Sequence, residues 1–402
     1  MRSLLVLTRH FFDRLFQNEV FPFEDQMKER LYFGGAFLTA LGGFVANSLF
    51  MKYMFWEDKG TSWREKTFFL AFFMAVLAIL VVLDWDILFP DLKDYANLMS
   101  LPVRLRTVFG AKFLSFLVFI GLYTAAVNPF AVCVVAFFLP KWKSDGDMGY
   151  LFLTMAAHLV AAAAAFLFVF FLFVFVHALL LLLLPPRAFR RASLLIRFLL
   201  LAFLVFGLMA FIVQSPVLGE FSDAIVAAKD AGGARAAVLP PLWFTGLYET
   251  ILGSRDPVFR SLSGLAIGAT AALALLYFAA MALSYRRHVR RTAEAGGNDD
   301  RAWRVRDRWL TAAERIASRD RTQQAVLRFV FEGLRTSSRH RVQIAGFVAL
   351  AVGLDMIILA SPGAGTRGAG LASRDILAVP LVVAFLLIVA LRLAFSTPIS
   401  AE

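Results

Sequence analysis

The sequence predicts an all-α protein, a polytopic transmembrane helical bundle of about eight spans with an N-terminal amphipathic helix. Three observations carry that prediction. Of 402 residues, 60% are hydrophobic and 17% are charged; soluble chains have roughly 45–50% apolar and about 25% charged residues. The apolar residues gather in runs of about 18 or more, the length a helix needs to cross a bilayer. Lys and Arg concentrate in alternate loops, the pattern that orients a chain in a membrane. The net charge of +12 therefore reads as a set of topology signals between spans and not as a nucleic-acid surface.

The elements follow in order. Leu4, Leu5, Leu7, Phe11, Phe12, Leu15 and Phe16 recur at helical spacing, with Arg2, Arg9, Asp13, Arg14 and Gln17 mostly between them. Residues 1–30 thus read as an amphipathic helix lying in the membrane surface, or as a simple anchor for the first span. They do not read as a signal peptide, because Arg9, His10, Asp13 and Arg14 interrupt the apolar run and no small-residue cleavage site follows. The first span runs from Leu31 to about Phe50 and the second from Thr67 to Leu83. The third starts near Val108 and the fourth near Tyr150. The fifth covers Leu194–Val213, the sixth Leu262–Leu283, the seventh Val342–Ala360 and the eighth Ile376–Phe395. The bundle of the first six occupies residues 31–283, a basic loop residues 284–341, and the last two spans residues 342–402.

Two runs exceed one crossing. Val108–Leu139 would be about 48 Å long as a helix, against roughly 30 Å of hydrocarbon. Asn128-Pro129 falls inside it, and proline removes a backbone donor and kinks a helix. The run reads as one span to about Val127 and then a short re-entrant or interfacial piece. Tyr150–Leu184 contains no breaker and reads as a tilted helix that extends into the cytoplasm.

Charge sets the orientation. Arg2, Arg9, Arg14, Lys28 and Arg30 precede the first span. Lys93, Arg104, Arg106 and Lys112 follow the second, and Arg187, Arg190, Arg191 and Arg197 follow the fourth. The loop after the sixth span is richest, from Arg286 to Arg341. These loops place the N-terminus in the cytoplasm. The first outer loop, with Lys52, Lys59, Arg64 and Lys66, is the exception.

Catalytic signatures are few. The chain has no phosphate-binding G-x-x-x-x-G-K-[ST] loop, no H-E-x-x-H and no G-x-S-x-G. Its one cysteine, Cys133, lies in an apolar run, so there is no disulfide framework. No two of the five histidines lie three or four residues apart on a helix, so no metal pair is expected and no cofactor is implied. His158 and His177 fall in the fourth span, where a proton relay competes with a histidine simply bonded inside the bundle. Asp355 is the clearest charge within a span. It must face the bundle, be protonated or be paired, and such a residue is a functional candidate.

The loop 84–112 is the most informative stretch. Asp84, Asp86, Asp91 and Asp94 precede Leu101-Pro102-Val103, and Arg104 and Arg106 follow on the way into a membrane helix. Pro102 suits a first helical turn. Asp84 and Asp86, two residues apart, would not share a helix face. The stretch resembles the segment joining the second and third spans of ABC-2-type transporter permeases of bacteria. The resemblance rests on Asp91-Leu-Lys-Asp94, Leu101-Pro102-Val103, Arg104, Arg106 and Ala111-Lys112. It implies a coupling helix formed by Asp91, Asp94, Leu101, Pro102, Val103, Arg104, Arg106 and Lys112 that docks on a separate ABC ATPase subunit. It also implies a homo- or hetero-dimer of permeases in the bacterial inner membrane, in contact with lipid. The amphipathic segment is similar to the family's elbow helix. Leu239-Pro240-Pro241-Leu242-Trp243-Phe244, in the outer loop 218–257, is similar to its short hairpin helices. The typical family fold has six spans, fewer than the number read here. The expected function is a permease subunit of an ATP-driven exporter that hydrolyses no nucleotide itself. Two other classes fit the residues. One is a lipid- or glycolipid-modifying enzyme using Asp84, Trp85 and Asp86 at the interface. The other is a proton-coupled transporter centred on Asp355 with His158 or His177.

Overall fold

The computed structural model describes residues 2–16, 27–55, 62–83, 85, 105–138, 148–213, 226–227, 229–230, 236–294, 322, 348 and 351. Among them there is no strand, and the architecture is all-α. The helices are α1 (Arg2–Phe16), α2 (Met27–Phe55), α3 (Ser62–Leu83), α4 (Leu105–Val127), α5 (Pro129–Phe138), α6 (Met148–Leu183), α7 (Pro186–Val213), α8 (Pro240–Ile251) and α9 (Pro257–Glu294). Within these, Trp63–Leu83, Thr107–Val127, Met148–Leu183 and Pro257–Leu283 are long and apolar enough to cross a membrane. Leu31–Asn47 and Leu195–Leu208 are shorter apolar stretches. The protein is membrane-embedded. The first six expected spans fall on helices; of the seventh only residues 348 and 351 are described, and the eighth lies outside the described residues.

The chain divides into two compact units, residues 1–178 with 211–280, and residues 179–210 with 281–402. Helix α6 runs unbroken over 36 residues, about 54 Å, as its lack of a breaker predicts. It ends where Leu184 meets Pro185-Pro186, since a residue before proline is pushed out of the helical region.

Inside a bilayer, lipid is as apolar as a leucine side chain, so burying Phe against Phe drives helix association weakly. Close packing and polar bonds choose which faces meet. In the first unit α6 is the central helix. Phe113, Phe116 and Tyr123 of α4 pair with Phe171, Phe170 and Phe166 of α6 in reversed order, at centroid distances of 6.2, 5.2 and 5.0 Å. The two helices are therefore antiparallel. Phe69, near the start of α3, and Trp85, two residues past its end, meet His158 and His177 in the same order, so α3 runs parallel to α6. The Tyr123 hydroxyl donates to the Phe73 carbonyl at 2.8 Å, tying α4 to α3.

The expected break at Asn128-Pro129 is present. Helix α4 stops at Val127, Asn128 is a bend, and Pro129 opens α5. A proline fits a first helical position because that N–H has no intrahelical partner anyway. Asn128 Nδ2 donates to the Thr124 carbonyl at 2.7 Å, bonding a last-turn acceptor of α4. Helix α2 lies along this junction. Thr39 Oγ1 donates to the Ala126 carbonyl at 2.9 Å, and a Cβ at Gly42 would collide with the Val127 carbonyl oxygen. Only glycine allows the two backbones to approach so closely.

Helix α1 is amphipathic, as its spacing predicts. Leu7 and Phe11 are buried against Val108 and Ala111 of α4, with Leu4 packed beside them, while Arg9 and His10 are exposed. Helix α8 starts on Pro240-Pro241. It ends with Gly253 at φ +82°, Gly253 N donating to Thr250 O and Ser254 N to Glu249 O. These paired bonds close the helix and require the left-handed conformation that glycine adopts freely. Helix α9 follows at once. Asp256 Oδ1 accepts from Val258 N at 2.9 Å, capping its first turn. A Cβ at Gly246 would lie 2.7 Å from Leu262 Cβ and 2.8 Å from the Phe259 carbonyl oxygen, so α8 and α9 form a tightly closed hairpin. In the second unit, Ser193, Arg197, Leu201 and Val205 of α7 form one buried stripe at helical spacing, and Leu195, Leu199 and Phe203 are exposed.

Candidate functional site

The first unit concentrates its buried polar side chains at one end. That end holds the start of α3, the α4–α5 junction, the start of α6, and α8. Lys66 is 4% exposed and its Nζ lies 2.6 Å from Glu249 Oε1, whose side chain is 16% exposed. The same ammonium lies 4.2 Å from the centroid of the Tyr248 ring, an arrangement in which the ring's negative face attracts the cation. The next residue repeats the link, Thr67 Oγ1 lying 2.8 Å from Thr245 Oγ1. Thr245, Tyr248 and Glu249 are spaced i, i+3, i+4, so one face of α8 supplies all three partners.

His158 lies one layer deeper and is buried. Its Nε2 is 2.9 Å from Asn128 Oδ1. Asn128 Nδ2 is already committed to the Thr124 carbonyl, so Oδ1 is the acceptor and His158 Nε2 carries the proton. The imidazole packs between Phe69 and Tyr248, at 5.2 and 5.7 Å between centroids. Tyr248 makes a long 3.4 Å bond from its hydroxyl to the Thr154 carbonyl. Burial, then the Glu249 carboxylate and the Tyr150 phenol, push its phenol well above the ordinary value. Tyr248 therefore stays a neutral donor.

A second lysine–carboxylate pair occupies the base of the α8–α9 hairpin. Lys229 Nζ is 2.7 Å from Asp256 Oδ2, with side chains 19% and 28% exposed. It also lies 4.7 Å from the Phe259 ring centroid and 5.4 Å from that of Trp63. The hydrogen bond from Lys229 holds the Asp256 carboxyl below its usual range, outweighing the opposing effect of partial burial, and the N–H groups of the α9 first turn add to it.

Each residue singled out in the sequence has a definite place or lies outside the described residues. His158 is a bonded residue of the bundle interior. His177 is buried at the opposite end of α6, its ring 4.9 Å from the fully buried Trp85. The two histidines are thus not brought together. Lys112 is buried in α4, with Nζ 5.6 Å from the Phe11 ring centroid, so it holds α1 against α4. Arg106 falls in the first turn of α4. Asp91, Asp94, Leu101, Pro102, Val103, Arg104 and Asp355 lie outside the described residues, as do Asp84 and Asp86. No group of three or more His, Cys, Asp or Glu suited to a metal ion occurs among the described residues.

Lys66, Glu249, Asn128, Lys229 and Asp256 are the residues that sequence reasoning missed. Lys66 adjoins an apolar run, where a lysine ordinarily extends to the interface, and its partner is 183 positions away. The chemistry of the site is mutual satisfaction. A hydroxyl pair, an ion pair and an amide–imidazole pair join helices that are distant in sequence, with no nucleophile–base pair among them. The arrangement can lock α8 onto the bundle and release it only at high cost. No protein-family model, curated protein or solved structure matches the chain.

Proposed function

We propose that the chain is the membrane-spanning permease subunit of an ATP-driven ABC-type exporter, worked by a separate ATPase subunit. The observation that carries this reading is the order of elements around the loop 84–112. An amphipathic helix precedes the spans and packs on the start of α4, the helix that leaves that loop. A short helix, α8, precedes α9 and is bonded to α3 at the opposite end of the bundle. A motor pressing on the loop would tilt α4, and with it α1, as one body, since Leu7, Phe11, Val108 and Ala111 form one cluster.

The expected orientation puts the N-terminus and the loop 84–112 in the cytoplasm of a bacterial inner membrane, and α8 outside. Lys66 supports it. Counted as a free cation it belongs to the one outer loop that breaks the charge pattern, yet it is buried and neutralised by Glu249, so it drops out of the count. His158, with its proton committed to Asn128, favours a structural role over a proton relay.

The test is copurification from the native membrane. The unaltered chain is expected to recover an ATPase subunit, and the Arg104→Glu/Arg106→Glu variant to lose it. Equal recovery by both would sink the docking role of the loop. Recovery of no ATPase by either, together with proton-driven transport in vesicles without ATP, would replace the proposal.

A further inference from the structure

We propose that Asp256, Trp63 and Phe259 form a binding cage for a primary ammonium group, which Lys229 occupies as a tethered ligand. The proposal is independent of the exporter reading.

The cage is built without Lys229. Asp256 is fixed because its Oδ1 accepts the Val258 N–H at 2.9 Å as the cap of α9. That bond leaves Oδ2 available, and Oδ2 is the atom that meets the ammonium at 2.7 Å. Phe259 is buried in a cluster with Ala236, Leu242 and Leu262, and Trp63 packs against that cluster. The two rings meet edge to face at 5.8 Å and 65°, a stable aromatic arrangement. All three walls are thus held by α3, α8, α9 and their caps. Removing the Lys229 side chain would empty the cage without dismantling it.

The walls have the chemistry an alkylammonium requires. Two aromatic faces attract a cation at 4.7 and 5.4 Å. One carboxylate oxygen accepts a single N–H in a charge-assisted bond. A primary ammonium suits this set better than a quaternary one, because only the former donates to Oδ2. Lys229 is 19% exposed and Asp256 28% exposed, so solvent reaches the cage and an outside amine is able to compete. Lys66 provides the contrast: its ammonium is also held by a ring and a carboxylate but is 4% exposed, so it admits no competitor. The amine belongs either to a soluble molecule or to a lipid ethanolamine headgroup.

The experiment uses the full chain in phosphatidylcholine nanodiscs. Lys229→Ala is expected to melt at a lower temperature than the unaltered protein and to be rescued by n-propylammonium in a dose-dependent way, by a few degrees. The Lys229→Ala/Asp256→Asn variant is expected to show no rescue. A second measurement needs no variant. In the unaltered protein, n-propylammonium is expected to displace Lys229 and raise its acylation rate several-fold by mass spectrometry, leaving other lysines unchanged. Replacing part of the phosphatidylcholine with phosphatidylethanolamine would reproduce both effects if the headgroup is the source. It would reproduce neither if only soluble amines enter. Absence of rescue in a folded Lys229→Ala protein, or rescue equal in the Asp256→Asn background, would overturn the cage. So would an unchanged Lys229 acylation rate, whatever the variants do.

Discussion

The two lysine–carboxylate pairs of the first unit use the same groups and differ in depth. Lys66–Glu249 is 2.6 Å long with side chains 4% and 16% exposed; Lys229–Asp256 is 2.7 Å long with side chains 19% and 28% exposed. Each ammonium also faces an aromatic ring. Geometry therefore does not separate them, and solvent does. A deep pair breaks only by leaving a charge without water, whereas a shallow one exchanges its partner for water at little cost. The first pair acts as a lock between α3 and α8, and the second as an exchangeable contact.

The sharpest way to break this comparison is to remove one partner of the deep pair. Glu249→Gln leaves the Lys66 ammonium buried opposite a neutral amide. Removing one member of a buried pair costs about 3–5 kcal/mol, and thermal melting in detergent is expected to fall by on the order of 10 °C. The Lys66→Met/Glu249→Met variant removes both charges and is expected to recover most of the loss, because an apolar replacement strands nothing. A Glu249→Gln protein melting within about 1 °C of the unaltered one would show that the pair is not a lock.

A smaller effect is expected from the packing that the lock depends on. Gly246→Ala places a Cβ 2.7 Å from Leu262 Cβ and 2.8 Å from the Phe259 carbonyl oxygen. The backbone oxygen has nowhere to go, so α8 must shift away from α9. Overpacking of this kind costs about 1–3 kcal/mol. Because the displaced helix carries Glu249 and Thr245, the variant is expected to couple non-additively with Lys66→Met in a double-mutant cycle of melting temperatures. Strict additivity would mean that the α8–α9 contact and the lock are independent.

The amide–imidazole pair gives a third probe of comparable size. Asn128→Ala leaves the His158 N–H buried without its acceptor, which costs about 1–3 kcal/mol. Asn128→Leu/His158→Phe, with no polar group left, is expected to melt nearer to the unaltered protein than Asn128→Ala does. The reverse order would point to a role for the imidazole beyond packing. A sequence makes His158 visible, because a histidine in an apolar run is conspicuous, but it does not show which polar group answers it. Asn128 is legible only as half of a helix-breaking Asn-Pro.

That division holds across the molecule. Features set by local chemistry are readable from sequence, such as the break at Asn128-Pro129, the unbroken length of α6 and the two faces of α1. Prolines, caps and periodicity act within a turn or two. The candidate site is not readable, because its pairs join positions 183, 178 and 30 residues apart. Lys66 and Lys229 look alike on paper, as loop lysines beside apolar helices. Tertiary packing alone assigns one to the interior and the other to a partly exposed cage.

The shallow pair carries the smallest expected effect and the clearest pH signature. Asp256→Asn keeps the cap of α9, since asparagine caps helices about as well as aspartate, and removes only the charge. At neutral pH its cost is expected to be about 0.2–1 kcal/mol, as for other exposed pairs. The folded-state pKa of Asp256 is lowered from 3.8, so its contribution is fully present above the unfolded value. It fades as pH falls below that value and is gone once pH passes the folded value. The gap in melting temperature between the unaltered protein and Asp256→Asn should therefore close on acidification below about pH 4. It should also narrow in high salt, which screens exposed charges. Glu249→Gln should be far less sensitive to salt, because a buried pair is screened much less. If salt erases both effects equally, depth is not what distinguishes the two pairs, and the lock and the cage are one kind of contact.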